Sequence, residues 1–149
     1  NTMVENKLIF IPGNVPSSKN SRINTTKGSF ASKTVKSYLN SLGIQSYSSS
    51  KKLVKGYVNK PNLIENLRED FLKQTSGKEL PLEIGFHFVR DSKRKFDFHN
   101  IVQVILDLMT ASDIIIDDNM DCVIPFALKI ESKFYSVNKE QSGVWIKII

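Results

Sequence analysis

A single cysteine, Cys122, is all the thiol chemistry the chain has. No intramolecular disulfide can brace the fold, and a reducing compartment is its natural setting. Cys122 has no Cys-x-x-Cys frame and no companion histidine, which makes it a packing residue rather than a nucleophile. No apolar run reaches the length of a membrane span. The opening Asn1 to Lys7 lacks the apolar centre of a secretory signal, so a cytoplasmic protein is expected. Also missing are a glycine-rich phosphate loop of the Walker type, any zinc-ligand spacing and a Gly-x-Ser-x-Gly elbow, which sets aside the commonest nucleotide, zinc and serine-hydrolase chemistries. No internal repeat is visible.

What is present suits one domain, 1–149, long enough to stand on its own core. The net charge of +6 is unevenly spread: residues 1–60 hold ten Lys or Arg against the lone acid Glu5, a balance of +9, while residues 61–149 hold eleven against fourteen, a balance of −3. A basic arm beside an acidic centre is what a nuclease needs, since lysines neutralise phosphates and carboxylates hold metal. The plainer account is a solvated lysine-rich surface.

Periodicity predicts a short strand over Lys7 to Ile11, ended by Pro12 and Gly13. A long loop from Asn14 to Ser32 follows, in which Lys19, Asn20 and Arg22 could donate to phosphate. Lys33 to Leu42 has weak helical character, with Val35, Tyr38, Leu39 and Leu42 on one side. Asn62 to Ser76 is the clearest amphipathic helix, with Gly77 as its stop. Leu80 to Arg90 alternates as a strand with Leu82, Ile84, Phe86 and Phe88 facing a core. His87 falls on its other face, where a lone histidine is more often structural than a ligand. Cys122 to Ile130 and Gly143 to Ile149 read as further strands. Interleaved strands and helices give an α/β (α+β) class, with helices packed on a mixed β-sheet.

The chemistry gathers in Lys93 to Asp121, which holds six aspartates and no glutamate. The basic triplet Lys93, Arg94, Lys95 leads in. Asp97 and His99, two apart in an extended segment, would point to one side. Asn100 suits a helix N-cap, with Gln103 three residues on where a capping box wants it. The helix body, Ile101 to Thr110, is apolar nearly all round, yet Asn100, Gln103, Asp107 and Thr110 trace one polar stripe. A buried carboxylate such as Asp107 needs a cation or a donor. Ile114 to Ile116 reads as a short β-branched strand ending at Asp117 and Asp118. That pair is tolerated in solvent, as ordinary turn chemistry, or beside a divalent metal.

The run Asp97, Asn100, Asp107, then Asp117 and Asp118 resembles the motif of the RusA family of Holliday junction resolvases, endonucleases often encoded by phages and prophages. Pro12, Gly13, Pro16, Ser18, Lys19 and Asn20 are similar to the family's opening strand and loop. His99 stands where the family usually has a second Asp, and Gln103 where it usually has a catalytic lysine. The resemblance implies a metal-dependent endodeoxyribonuclease that cleaves branched DNA such as four-way junctions, works as a homodimer and uses Mg²⁺; a nitrogen donor at His99 would favour Mn²⁺. It implies Asp97 and Asp118 as first candidates for metal ligands, Asp117 and His99 as the next, and Asp107 as a ligand or the orienter of one. Lys19, Asn20, Arg22, Lys93, Arg94 and Lys95 are the expected DNA contacts. The two departures from the motif keep open a related DNA-binding protein with weakened turnover, and a structural protein is the third reading.

Overall fold

A computed structural model describes residues 8–17, 22–25, 28–31, 33–42, 44–45, 54–55 and 63–149. In chain order these form β1 (Ile9–Pro12), β2 (Arg22–Thr25), β3 (Gly28–Ala31), α1 (Lys33–Ser41), β4 (Ile44–Gln45), β5 (Val54–Lys55), α2 (Leu63–Thr75), β6 (Leu82–Arg90), α3 (Phe98–Ala111), β7 (Val123–Ala127), β8 (Tyr135–Val137) and β9 (Gly143–Ile148). The five-stranded main sheet runs β1-β9-β6-β7, with β8 also paired to β6. Two separate antiparallel pairs, β2 with β3 and β4 with β5, complete the set. No helix among the described residues is long and apolar enough to cross a membrane.

The nine-residue β6 is the axis of the sheet. It pairs antiparallel with β9 from Ile84 opposite Ile148 to Val89 opposite Gly143. Its other edge is shared by two parallel strands, β7 beside Leu82 to Phe86 and β8 beside Phe88 to Arg90. Parallel neighbours require a crossover, and α3 supplies it between β6 and β7. The alternation read from the sequence has its cause here: Ile84, Phe86 and Phe88 of β6, Val144, Ile146 and Ile148 of β9, and Ile9 and Ile11 of β1 are all buried in one core. Ile101, Val102, Val104, Ile105, Leu106, Leu108 and Met109 of α3 fill the same core, which explains a helix apolar on nearly every side. α1 adds Val35, Tyr38 and Leu39, and Leu42 just beyond it joins them; α2 adds Phe71. Gly77, in the left-handed region at φ 77°, follows the last turn of α2 as its stop.

Four expectations are corrected. First, α3 begins at Phe98, not after Asn100: Asp97 is the N-cap residue, with its carbonyl accepting from the Asn100 and Ile101 amides at 3.1 and 3.3 Å. Phe98 packs edge-on against Phe88, ring centres 5.9 Å apart, and this contact draws an extra turn into the helix. Asp97 and His99 therefore do not share an extended segment, and Gln103 is no part of a capping box. Second, Ile114 to Ile116 is not a strand. Asp113 takes a left-handed conformation (φ 59°), its amide returns to Thr110 O, and the Ile114 amide returns to Met109 O at 2.9 Å. These two bonds close the helix as a Schellman motif, with Ile114 and Ile115 folded back into the core. Third, the expected loop of residues 14–32 contains the β2–β3 hairpin. Fourth, the expected strand to Ile130 stops at Ala127, and the chain leaves the edge of β6 before rejoining it as β8. Between them, Glu131 (φ 50°) and Ser132 (φ 69°) make a tight two-residue turn closed by reciprocal bonds of Ile130 with Lys133. Left-handed backbone at residues other than glycine costs about 1 kcal/mol each, so this turn is held against its own preference.

Candidate functional site

Most of the residues singled out from the sequence lie at the β6–α3 corner, on α3 itself or on the chain returning from it. Gln103 joins two of them. Gln103 and Asp107 are one helical turn apart and face each other. The Gln103 Nε2 amino group donates to Asp107 Oδ1 at 2.8 Å and to Asp118 Oδ2 at 2.8 Å. One neutral amide thus ties a carboxylate on the helix to a carboxylate on the returning chain. Both bonds are short and charge-assisted, and all three residues are half-buried. The Schellman closure of α3 is what turns the chain back far enough for Asp118 to reach Gln103.

The other aspartates stand differently. Asp97 is exposed at the helix entry and accepts from the Asn100 side chain at 3.3 Å, without capping the helix through its own side chain. Asp117 is taken up by its turn: one oxygen accepts the Asp118 amide at 2.8 Å and the other the Asn119 side chain at 3.2 Å. Asn119 Oδ1 in turn accepts the Asp121 amide. His99 is exposed in the first turn of α3, its ring edge-on to Phe98. Among the described residues no three His, Cys, Asp or Glu side chains are grouped as a metal would need. The pair Asp107 and Asp118 nonetheless offers the hard oxygen donors that Mg²⁺ takes. Mg²⁺ is commonly held by one or two carboxylates, with water and substrate phosphate completing the shell.

Lys93, Arg94 and Lys95 are exposed on the loop that enters α3. That loop is anchored from both sides. Arg90, at the end of β6, donates to Val15 O at 2.6 Å and lies 4.9 Å over the Phe96 ring. Burial pushes the Arg90 guanidinium below its ordinary pKa, partly opposed by the neighbouring Asp91. The Asp91 amide donates to Asn14 Oδ1 at 3.1 Å. The chain therefore passes this corner at Asn14 and Val15, a few residues before Lys19 and Asn20, which lie outside the described residues. Arg22 opens β2, opposite Ala31.

His87 is structural, as its position on the strand suggested. It is fully buried, with Nδ1 2.9 Å from Leu128 O and Nε2 2.7 Å from Ser136 Oγ, and so pins the β7–β8 excursion to the sheet. Cys122 is buried. Sequence reasoning assigned Gln103 to capping and missed its bridging of two carboxylates, although the helical spacing of Gln103 and Asp107 carried the signal. It also passed over Phe134 and Tyr135, exposed aromatics flanked by Lys129 and Lys133. No protein-family model matches the chain, and no curated protein does so either.

Proposed function

We propose that the protein is a metal-dependent endodeoxyribonuclease acting on branched DNA, with four-way junctions as the expected substrate. The observation that carries this reading is the Gln103 bridge. Two half-buried carboxylates are held side by side by one amide with no charge, on a helix that an exposed Lys-Arg-Lys loop leads into and on the chain returning from it. Paired carboxylates to hold metal, with lysines elsewhere on the same segment for phosphates, are the division of labour that phosphodiester hydrolysis requires.

In this reading Asp107 and Asp118 would hold Mg²⁺ or Mn²⁺, which when bound supplies charge stabilisation at the scissile phosphate and a more acidic water. Gln103 fixes the orientation of both carboxylates, so that neither must be reorganised when DNA arrives. Lys93, Arg94 and Lys95 neutralise flanking phosphates, and the anchoring of their loop by Arg90 sets where the backbone lies. Asp97, Asp117 and His99 remain the further candidate ligands. Symmetric resolution of a junction needs two cuts, which a C2 homodimer provides.

The test is cleavage of junction, flap and duplex DNA with Mg²⁺ and Mn²⁺ in turn, for the wild type and Asp118→Asn. Loss of cleavage in the variant with DNA binding retained is expected. Wild-type rates in the variant would remove Asp118 from the chemistry. A second reading, a DNA-binding protein without turnover, is favoured by the engagement of both Asp117 oxygens in its own turn. It would show as salt-sensitive DNA binding with no metal-dependent nicking.

A further inference from the structure

The aromatic residues beside the β6–α3 corner have no part in the proposed hydrolysis and are not in the core. Phe134 is 58% exposed and Tyr135 44% exposed. Two neighbouring aromatic side chains left this far in solvent suggest a use, because burying them is worth more than burying almost any other side chain. They border a hollow of about 430 Å³ whose other walls include Phe96, Lys93, Lys95 and Asp97. The ring of Tyr135 is braced edge-on by Phe96 at 4.9 Å, and Phe96 is backed by Arg90. The ring of Phe134 carries the Lys129 ammonium 5.4 Å from its centre. The tight Glu131–Ser132 turn precedes Phe134, and pairing of Tyr135 beside Phe88 at the edge of β6 fixes where the segment lies. Rigid aromatic faces ringed by lysines are what an unpaired nucleotide needs: a flat surface for the base and cations for its phosphate.

We infer that this hollow receives one unpaired base of the DNA, stacked on Phe134 and Tyr135, with the adjoining phosphates on Lys93 and Lys95. This rests on the DNA-cleaving reading and adds to it a reason for preferring branched over continuous duplex DNA. At a branch point bases can leave the stack at little cost, whereas in a duplex each is paired and stacked on both sides. The occupant is a nucleotide rather than an apolar peptide because lysines stand on the rim at Lys93, Lys95 and Lys129. Asp97 also lines the hollow, and its carboxylate is held by Asn100.

The experiment measures binding of a short single-stranded oligonucleotide carrying one 2-aminopurine, and separately of a fully paired duplex, by the full chain at several salt concentrations without metal. Binding of the single strand by the wild type should quench the 2-aminopurine, which reports stacking directly. Phe134→Ala should weaken single-strand affinity by roughly five- to 150-fold, the loss of one stacked base, and abolish the quench. The slope of log affinity against log salt should stay unchanged, since no phosphate contact is lost. Lys93→Ala should instead lower that slope by about one unit and keep the quench. Phe134→Trp, which preserves an aromatic face, should retain binding and shows that an effect of Phe134→Ala is not misfolding. Equal affinity and equal quench for wild type and Phe134→Ala would overturn the inference. If the wild type also cleaves junctions in an Asp118-dependent way, that result leaves the hydrolytic reading standing; failure of the wild type to bind either DNA removes both.

Discussion

Replacing Gln103 by alanine tests whether two carboxylates are held together by one amide. The wild-type side chain makes two hydrogen bonds of 2.8 Å to ionised acceptors. A bond to a charged group contributes about 1.5–3 kcal/mol when buried. These residues are half-buried, so water recovers part of the loss, and the two bonds together are worth about 2 kcal/mol. Removing them also takes away the amide that joins Asp107 to Asp118. Gln103→Ala should therefore lose about 2 kcal/mol, seen as a fall of about 1 M in the urea midpoint at an ordinary slope, or a drop of about 4–8 °C in Tm. Gln103→Glu places a third carboxylate between two others and should be worse than alanine at neutral pH. Gln103→Lys puts a cation there and should match or exceed the wild type in stability. Urea unfolding followed by circular dichroism measures all three. An alanine variant within about 0.5 kcal/mol of wild type, or a glutamate variant no worse than alanine, would refute the bridge and with it the central support for the proposed site.

Other outcomes follow from single residues. A side chain at Gly143 would run into the Phe10 ring and the Ile11 carbonyl, so Gly143→Ala should destabilise by about 1–3 kcal/mol in the same unfolding assay. The Tyr38 hydroxyl is buried without a partner, and burial raises its pKa. Its contribution to stability is therefore complete below the ordinary tyrosine value of about 10 and is lost as pH rises above it, because the unfolded chain ionises first. Tyr38→Phe should be as stable as wild type or more so at neutral pH and should lose less stability above pH ~10, as alkaline titration of the unfolding midpoint would show. Leu128 O can only accept, so His87 must carry a proton on Nδ1. Long-range ¹H–¹⁵N spectra should show Nδ1 protonated, and an Nε2–H tautomer with bare Nδ1 would contradict the bond.

The sequence by itself determined those parts of the molecule whose physical cause is local. Strict alternation made β6 and β9 strands with one apolar face, because side chains on a strand point alternately to either side whatever lies nearby. The stripe of Val35, Tyr38, Leu39 and Leu42 and the stop at Gly77 placed α1 and the end of α2 for the same reason. The nearly uniform apolarity of Ile101 to Thr110 showed that α3 is a core helix. The single polar stripe on it singled out Gln103 and Asp107 before any contact was known, and the aspartate-rich return marked Asp118.

Tertiary structure decided everything that depends on a partner distant in the chain. Whether α3 starts at Phe98 or after Asn100 turns on the Phe88 ring, ten residues away in sequence and 5.9 Å away in space. Ile114 to Ile116 has strong strand preference, yet it pairs with no strand among the described residues, and the Met109 carbonyl and the core claim its first two residues instead. The short β8 has no pattern of its own and exists because the far end of β6 offers an unpaired edge. Gln103 is the clearest case. Its spacing from Asp107 is written in the helix repeat, but its bond to Asp118 requires the chain to reverse at a left-handed Asp113, a conformation uncommon outside glycine that aspartate tolerates better than most. Local periodicity is a property of the backbone and can be read from one sequence, whereas the meeting of two carboxylates across a reversal is a property of the packed chain.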